Sequence, residues 1–186
     1  MIRRVGFYNV MTQKDFFNRV TNGKEDVLQA FLKILEKLKI QYCVIGGLAV
    51  NAYAEPVVSL DLDVVITLEK KTKVLESARE IFAVETFEHS VNLTSKRSDV
   101  RIQIQTDRRY QEFIKRGSSK SVLGYNMKVA AVEDVLTGKI WAYQDETRRK
   151  SKRQKDLADI MRLVEGHPRP KDRLPEEIRV LLDREP

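Results

Sequence analysis

Residues 45–66 read IGGLAVNAYAEPVVSLDLDVVI, and the way this stretch breaks up decides the fold. It opens on the end of a short apolar, β-branched run, QYCVI at 41–45, which Gly46 and Gly47 stop. LAVNAYA then has a helical composition until Glu55 and Pro56 interrupt it. A second apolar run begins in SLDLDVVI at 59–66. There Asp61 and Asp63 fall on one side of a period-two pattern, while Leu60, Leu62 and Val64 fall on the other and can face a core. The spacing predicts strand, glycine turn, helix and strand, with two carboxylates on one face of the second strand. Strands of a core avoid carboxylates, so the pair needs a reason.

On the N-terminal side, EDVLQAFLKILEKLKI at 25–40 repeats apolar residues at three- and four-residue intervals, the period of an amphipathic helix. On the C-terminal side, KKTKVLESAREIF predicts a helix over 70–82, with Val74, Leu75, Ala78, Ile81 and Phe82 on its apolar side. VRIQIQ at 100–105 alternates like a neighbouring strand, with Asp99, Arg101, Gln103 and Gln105 on its polar face. RRYQEFIKRG reads as a short helix closed by Gly117, and VLGYNMKVA at 122–130 as a strand. Three helical segments follow, at 131–146, 150–165 and 174–185, with the proline-rich HPRPKDRLP as a short linker between the last two. The expected class is α/β (α+β): a small mixed sheet flanked by helices over 1–130, then a helical portion over 131–186 packing on it.

With 186 residues, 42% of them hydrophobic, the chain has enough apolar material for one core and a small appendage. The net charge of +7 points to an anionic partner only if the basic residues cluster. They do in ETRRKSKRQK, which gathers Arg148, Arg149, Lys150, Lys152, Arg153 and Lys155. Cys43 is the single cysteine, which excludes an internal disulfide or a cysteine-rich zinc site. His89 and His167 are isolated and do not form a zinc pair. The N-terminal MIRRVGFYNVMTQKDF lacks the apolar centre of a signal peptide, and no run is long enough to cross a bilayer. A cytoplasmic protein without a membrane partner is expected.

Two carboxylates one pleat apart hold hard divalent cations such as Mg²⁺ through oxygen ligands, and such ions neutralise a triphosphate and align it for attack. Bare glycine backbone between a strand and a helix lets a phosphate approach closely. Together they point to phosphoryl transfer. Each piece also has an ordinary reading: solvated aspartates on a polar-faced strand, a tight glycine turn, a surface lysine at 139, and Asp159 pairing with Lys152, Lys155 or Arg162 at the surface.

The strand, Gly46-Gly47, helix and SLDLD at 59–63 resemble the signature of the polymerase-β-type nucleotidyltransferases. That resemblance implies that Gly46, Gly47 and Ser59 hold the nucleotide's phosphates and that Asp61 and Asp63 ligate Mg²⁺ (or Mn²⁺). Residues 138–165, GKIWAYQDETRRKSKRQKDLADIMRLVE, resemble the segment of AbiEii-like toxin nucleotidyltransferases in which a helical lysine precedes a D-x-x-D motif. Lys139 and Asp156 are the matching positions, implying a phosphate contact and a positioning carboxylate. The superfamily adds a third carboxylate from the neighbouring strand. Asp99 is the candidate, since Arg101 and Gln103 occupy the central positions of that strand. The implied reaction moves a nucleoside monophosphate from an NTP to an acceptor hydroxyl, on RNA, particularly tRNA, on a partner protein or on an aminoglycoside-like molecule. A cognate antitoxin is an implied partner. The rival reading is a binding module for nucleic acid or protein that keeps the fold without catalysis.

Overall fold

The computed structural model describes residues 11–167 and 169–183. The first ten residues, on which most of the signal-peptide reading falls, lie outside the described residues. Seven strands form one mixed sheet: β1 Tyr42–Ile45, β2 Asp61–Ile66, β3 Ala83–Thr86, β4 Ser90–Ser95, β5 Ser98–Gln105, β6 Ser118–Val122 and β7 Tyr125–Val129. Their spatial order is β3-β4-β5-β2-β1-β7-β6. At the centre, β1 and β2 are antiparallel, whereas β2 with β5 and β1 with β7 are parallel. Leu62, Val64, Val91, Leu93, Ile102 and Ile104 alternate into the core, each fully buried. The expected mixed sheet with a helical C-terminal portion is what forms.

Helix α1 spans Gln13–Val20 and α2 spans Val27–Lys37. Thr12 and Asp15 close a capping box on the first, and the Asp26 carboxylate accepts the Gln29 amide at 2.9 Å at the start of the second. Val27, Leu28, Phe31, Leu32 and Leu35 are the buried stripe of α2, as the periodicity predicts. α3 (Gly46–Val50) begins at the glycine pair itself, and α4 covers Lys71–Ala78. α5 (Phe113–Arg116), α6 (Val132–Gln144), α7 (Lys150–Gly166) and α8 (Glu176–Leu182) are the remaining α-helices among the described residues. α2 packs on α4 and β5, while α3 packs on β2, α6 and α7. Ile140, Ile160, Leu163, Leu174 and Ile178 join the same buried cluster as the strands, so the C-terminal helices share the sheet's core.

Three local expectations differ. Leu60 is 41% exposed: it lies in the bend just before β2 begins at Asp61, although its carbonyl still accepts the Arg101 N–H at 3.0 Å. Ile81 lies beyond the end of α4 and is 38% exposed, so only Phe82 of that pair reaches the core. The segment at 122–130 is a hairpin, not one strand. Leu123 (φ +51°) and Gly124 (φ +78°) make a two-residue turn between β6 and β7, the backbone geometry that a tight hairpin demands.

Candidate active site

The parallel register of β2 and β5 sets Asp61 beside Arg101 and Asp63 beside Gln103. Because the aliphatic neighbours point into the core, these four side chains share the opposite face, partly open to solvent. β1 lies on the other side of β2 and pairs Ile45 with Asp63, so the chain leaving β1 enters α3 directly against the Asp63 carboxylate. Gly46 has φ +68°, and a Cβ there would stand 2.0 Å from Asp63 Oδ2 and 2.8 Å from its Cγ. Only glycine satisfies both the left-handed backbone and the space.

Gly47 has a different neighbourhood. A Cβ on it would lie 3.2 Å from Ser59 Oγ and 3.9 Å from Lys155 Nζ. Ser59 is buried, with its hydroxyl 3.5 Å from the Asp61 carbonyl oxygen, and Lys155 reaches in from the first half of α7. A hydroxyl and an ammonium therefore converge on bare backbone beside the two carboxylates. In the sequence Lys155 stands out only as one charge of a basic run and as one of three possible partners of Asp159. Its position one residue before Asp156 was the available signal, since consecutive helical residues point about 100° apart and present two sides of α7 to one region.

A small pocket of about 100 Å³ opens above Asp63, walled by Gly46, Gln103, Tyr110, Lys139 and Arg148. A larger hollow of about 450 Å³ shares Gln105, Tyr110 and Arg148 with it as lining. Trp141 lines that hollow, stacked on Phe113 from one side and covered by the Arg109 guanidinium 4.9 Å from its ring centre. Burial pushes the Asp63 carboxyl above its ordinary value, and Asp61 adds to the effect. Lys139, Arg101 and Arg148 oppose it. Tyr110 is likewise pushed up to about 12 by burial, so it stays neutral.

Lys139 and Asp156 do meet, but not as free groups. The Lys139 ammonium is buried between Asp156 Oδ1 at 2.9 Å and Asp159 Oδ2 at 2.6 Å. Arg148 Nε pairs with Asp156 Oδ2 and Arg162 Nη1 with Asp159 Oδ1, both at 2.7 Å. Burial alone would lower the Lys139 ammonium, but Asp159 and Asp156 together outweigh it and hold the group above its ordinary value. The expected pairing of Asp159 with Arg162 forms, but not at the surface: Asp159 is 3% exposed and belongs to the ion network that fastens α6 to α7. Arg162 Nη2 extends the network to Asn51 Oδ1 just after α3, at 3.1 Å.

Asp99 is not brought to the other two aspartates. It stands exposed at the outer end of β5, two residues upstream of Arg101, or about 7 Å along the strand. Its carboxylate accepts Asn22 Nδ2 at 2.5 Å, and its N–H donates to Thr21 O at 2.7 Å, so the loop between α1 and α2 holds it. Arg101 takes the nearer place, with Nε donating to Asp61 Oδ1 at 3.1 Å. Among the described residues no three His, Cys, Asp or Glu side chains converge as a metal cluster.

Comparison with known proteins agrees with this architecture. Residues 83–185 match the family model described as Nucleotidyl transferase AbiEii toxin, Type IV TA system. The match begins at β3, beyond the glycines and both site aspartates, and it includes Lys139, Asp156 and Arg101. No curated protein matches the chain. Among solved structures, ANT(2")-Ia in complex with adenylyl-2"-tobramycin superposes with a TM-score of 0.59 at 13% identity, over 84% of this chain and 94% of that one. The lincomycin-bound lincosamide antibiotic adenylyltransferase LnuA gives 0.54 at 13% identity, over 76% and 99%. An antigenic nucleotidyltransferase-like protein from Paracoccidioides brasiliensis gives 0.51 at 21% identity, over 83% and 78%. Identities this low speak for the fold alone, a polymerase-β-type nucleotidyltransferase fold. The family match spans more than half of the sequence, and with it the chain belongs to the AbiEii nucleotidyl transferase toxin family.

Proposed function

We propose that the protein transfers a nucleoside monophosphate from an NTP to an acceptor hydroxyl, with Asp61 and Asp63 holding Mg²⁺ or Mn²⁺. The observation that carries this is the apposition of the Asp63 carboxylate to the Cβ-free face of Gly46, with Ser59 and Lys155 meeting at Gly47. The donor set fits a hard ion: two carboxylates on one strand face supply oxygen atoms, and among the described residues Asp63 forms no ion pair that would compete for it. A divalent ion bound there would neutralise the triphosphate and orient it.

The residues divide the remaining work. Gly46 and Gly47 let the phosphates approach the backbone, and Ser59 and Lys155 receive the β- and γ-phosphate oxygens. Arg148, whose side chain is 40% exposed, faces the pocket as a second cation. Lys139 and Asp156 are positioning residues: the buried ion network sets α6 and α7 against the sheet, which supports the 131–186 portion as one wall of the cleft. The acceptor oxygen forms a bond to the α-phosphorus while the α–β anhydride bond breaks. That electron pair leaves on pyrophosphate, and the acceptor's proton passes to water. Positioning and neutralisation account for most of such a step.

The basic run around Arg148 to Lys155 continues outward from the pocket and favours RNA, tRNA included, as the acceptor. Family membership supports a toxin role with an antitoxin as partner. The lincomycin and tobramycin in two of the superposed structures make small hydroxylated molecules the comparison acceptors. The test incubates the protein with each α-labelled NTP, Mg²⁺ or Mn²⁺, and either total RNA or aminoglycosides. Label in RNA that disappears in Asp61→Asn and Asp63→Asn supports the reading, and label that survives both changes rejects it. Slowed growth on expression, relieved by Asp63→Asn, supports the toxin role, whereas equal slowing by both forms rejects it.

A further inference from the structure

The two strands that carry the site hold an electrostatic mismatch. A pair of divalent ions gathered on one strand face needs carboxylates from the strand alongside as well, because each ion brings two positive charges to the same small space. Here the register supplies a cation and a neutral amide instead, Arg101 beside Asp61 and Gln103 beside Asp63. Arg101 Nε already donates to Asp61 Oδ1 at 3.1 Å, with both side chains only partly exposed. The other nearby carboxylates are engaged too. Asp156 lies between Lys139 and Arg148, Asp107 holds Arg109, and Asp99 is tied to Asn22. Among the described residues Asp63 is left as the one carboxylate of the small pocket in no ion pair.

We infer that Arg101 stands in for one of the two cations, so that the site takes a single divalent ion, on Asp63 and the outer oxygen of Asp61. This rests on the nucleotidyltransferase reading of Asp61 and Asp63 and deepens it. The guanidinium is fixed to its strand and always charged, so it supplies positive charge at the Asp61 end without being acquired from solution. The Arg101 side chain is 40% exposed, so its remaining N–H groups can donate to a phosphate oxygen of the NTP.

The experiment titrates the full chain with Mn²⁺ in the presence of NTP analogues that cannot be cleaved between the α- and β-phosphates. Bound ions are counted by electron paramagnetic resonance against a protein-free control. Two ions roughly 3.5–4 Å apart give a dipole-broadened spectrum, and one ion does not. The wild type is expected to bind one Mn²⁺ per chain with an unbroadened signal. Arg101→Lys keeps the charge and should stay at one, while Arg101→Asp places a carboxylate beside Asp61 and should raise the count to two with broadening. Two coupled ions in the wild type overturn this inference and leave the proposed function standing. A count that stays at one in Arg101→Asp, with its thermal melt intact, also overturns it. No bound Mn²⁺ in the wild type with any of the four analogues overturns the reading of the aspartates itself.

Discussion

Gly46→Ala is the sharpest perturbation of the site because the structure states its cost in two independent parts. The residue sits at φ +68°, where a Cβ costs roughly 1–2 kcal/mol. The added methyl would also meet Asp63 Oδ2 at 2.0 Å and Asp63 Cβ at 2.9 Å, and since the latter belongs to β2, rotating the carboxylate alone does not clear it. Overpacking of this kind costs about 1–3 kcal/mol. The sum, about 2–5 kcal/mol, corresponds to a fall in Tm of about 4–20 °C for a chain of this size. Gly47→Ala is the matched control. Its Cβ would find Ser59 Oγ at 3.2 Å and no backbone clash, and Ala gains about 0.5–1 kcal/mol over Gly within a helix. Its Tm should therefore change little while NTP transfer falls. Differential scanning fluorimetry with the α-label assay reads both quantities. Equal, small Tm changes in the two variants would refute the claimed contact between Gly46 and Asp63.

Asp63→Asn should melt higher than the wild type at pH 7 in the absence of divalent ions. Burial raises the folded Asp63 value above 3.8, so its contribution to stability is fully present below 3.8 and is lost as pH rises through the folded value. The advantage of Asn should shrink as pH is lowered through that range, and Mg²⁺ should raise the Tm of the wild type only. A pH-independent difference would contradict this origin. Lys139→Met leaves Asp156 and Asp159 with Arg148 and Arg162 as their cations among the described residues. It should cost about 3 kcal/mol, the low end for breaking a buried ion network, as measured by urea denaturation. Because the folded Lys139 value lies above 10.5, that loss should be constant from pH 6 to 9 and narrow only at higher pH. Lys155→Ala should raise KM for NTP about tenfold or more, as expected for one charge-assisted phosphate contact, with the fold unchanged by circular dichroism.

Much of the fold was legible because its signals are local. The three- and four-residue spacing of α2, the alternation in VRIQIQ and the glycine stop after QYCVI each report a periodicity that burial enforces. The β6–β7 hairpin was not legible, since the turn uses Leu123 at positive φ and a leucine carries no turn signal. β3 and α1 escaped for a related reason: three of the four β3 residues are exposed, and α1 buries only Phe17. At the site, the aspartates and glycines announced themselves by interrupting apolar runs. The place of Asp99 did not, because periodicity gives a face but not a register, and the two-residue offset along β5 decides whether a side chain reaches its neighbours. Lys139, Asp156 and Asp159 could be paired only once α6 was seen against α7.

Supplying one NTP labelled at either the α- or the γ-phosphate shows whether the carboxylates facing bare glycine backbone direct attack at an α-phosphorus. The α-label is expected on the acceptor and the γ-label only in released pyrophosphate, with both signals abolished in Asp63→Asn. Transfer of the γ-label to the acceptor, or α-label transfer that persists without the Asp63 carboxylate, would contradict it.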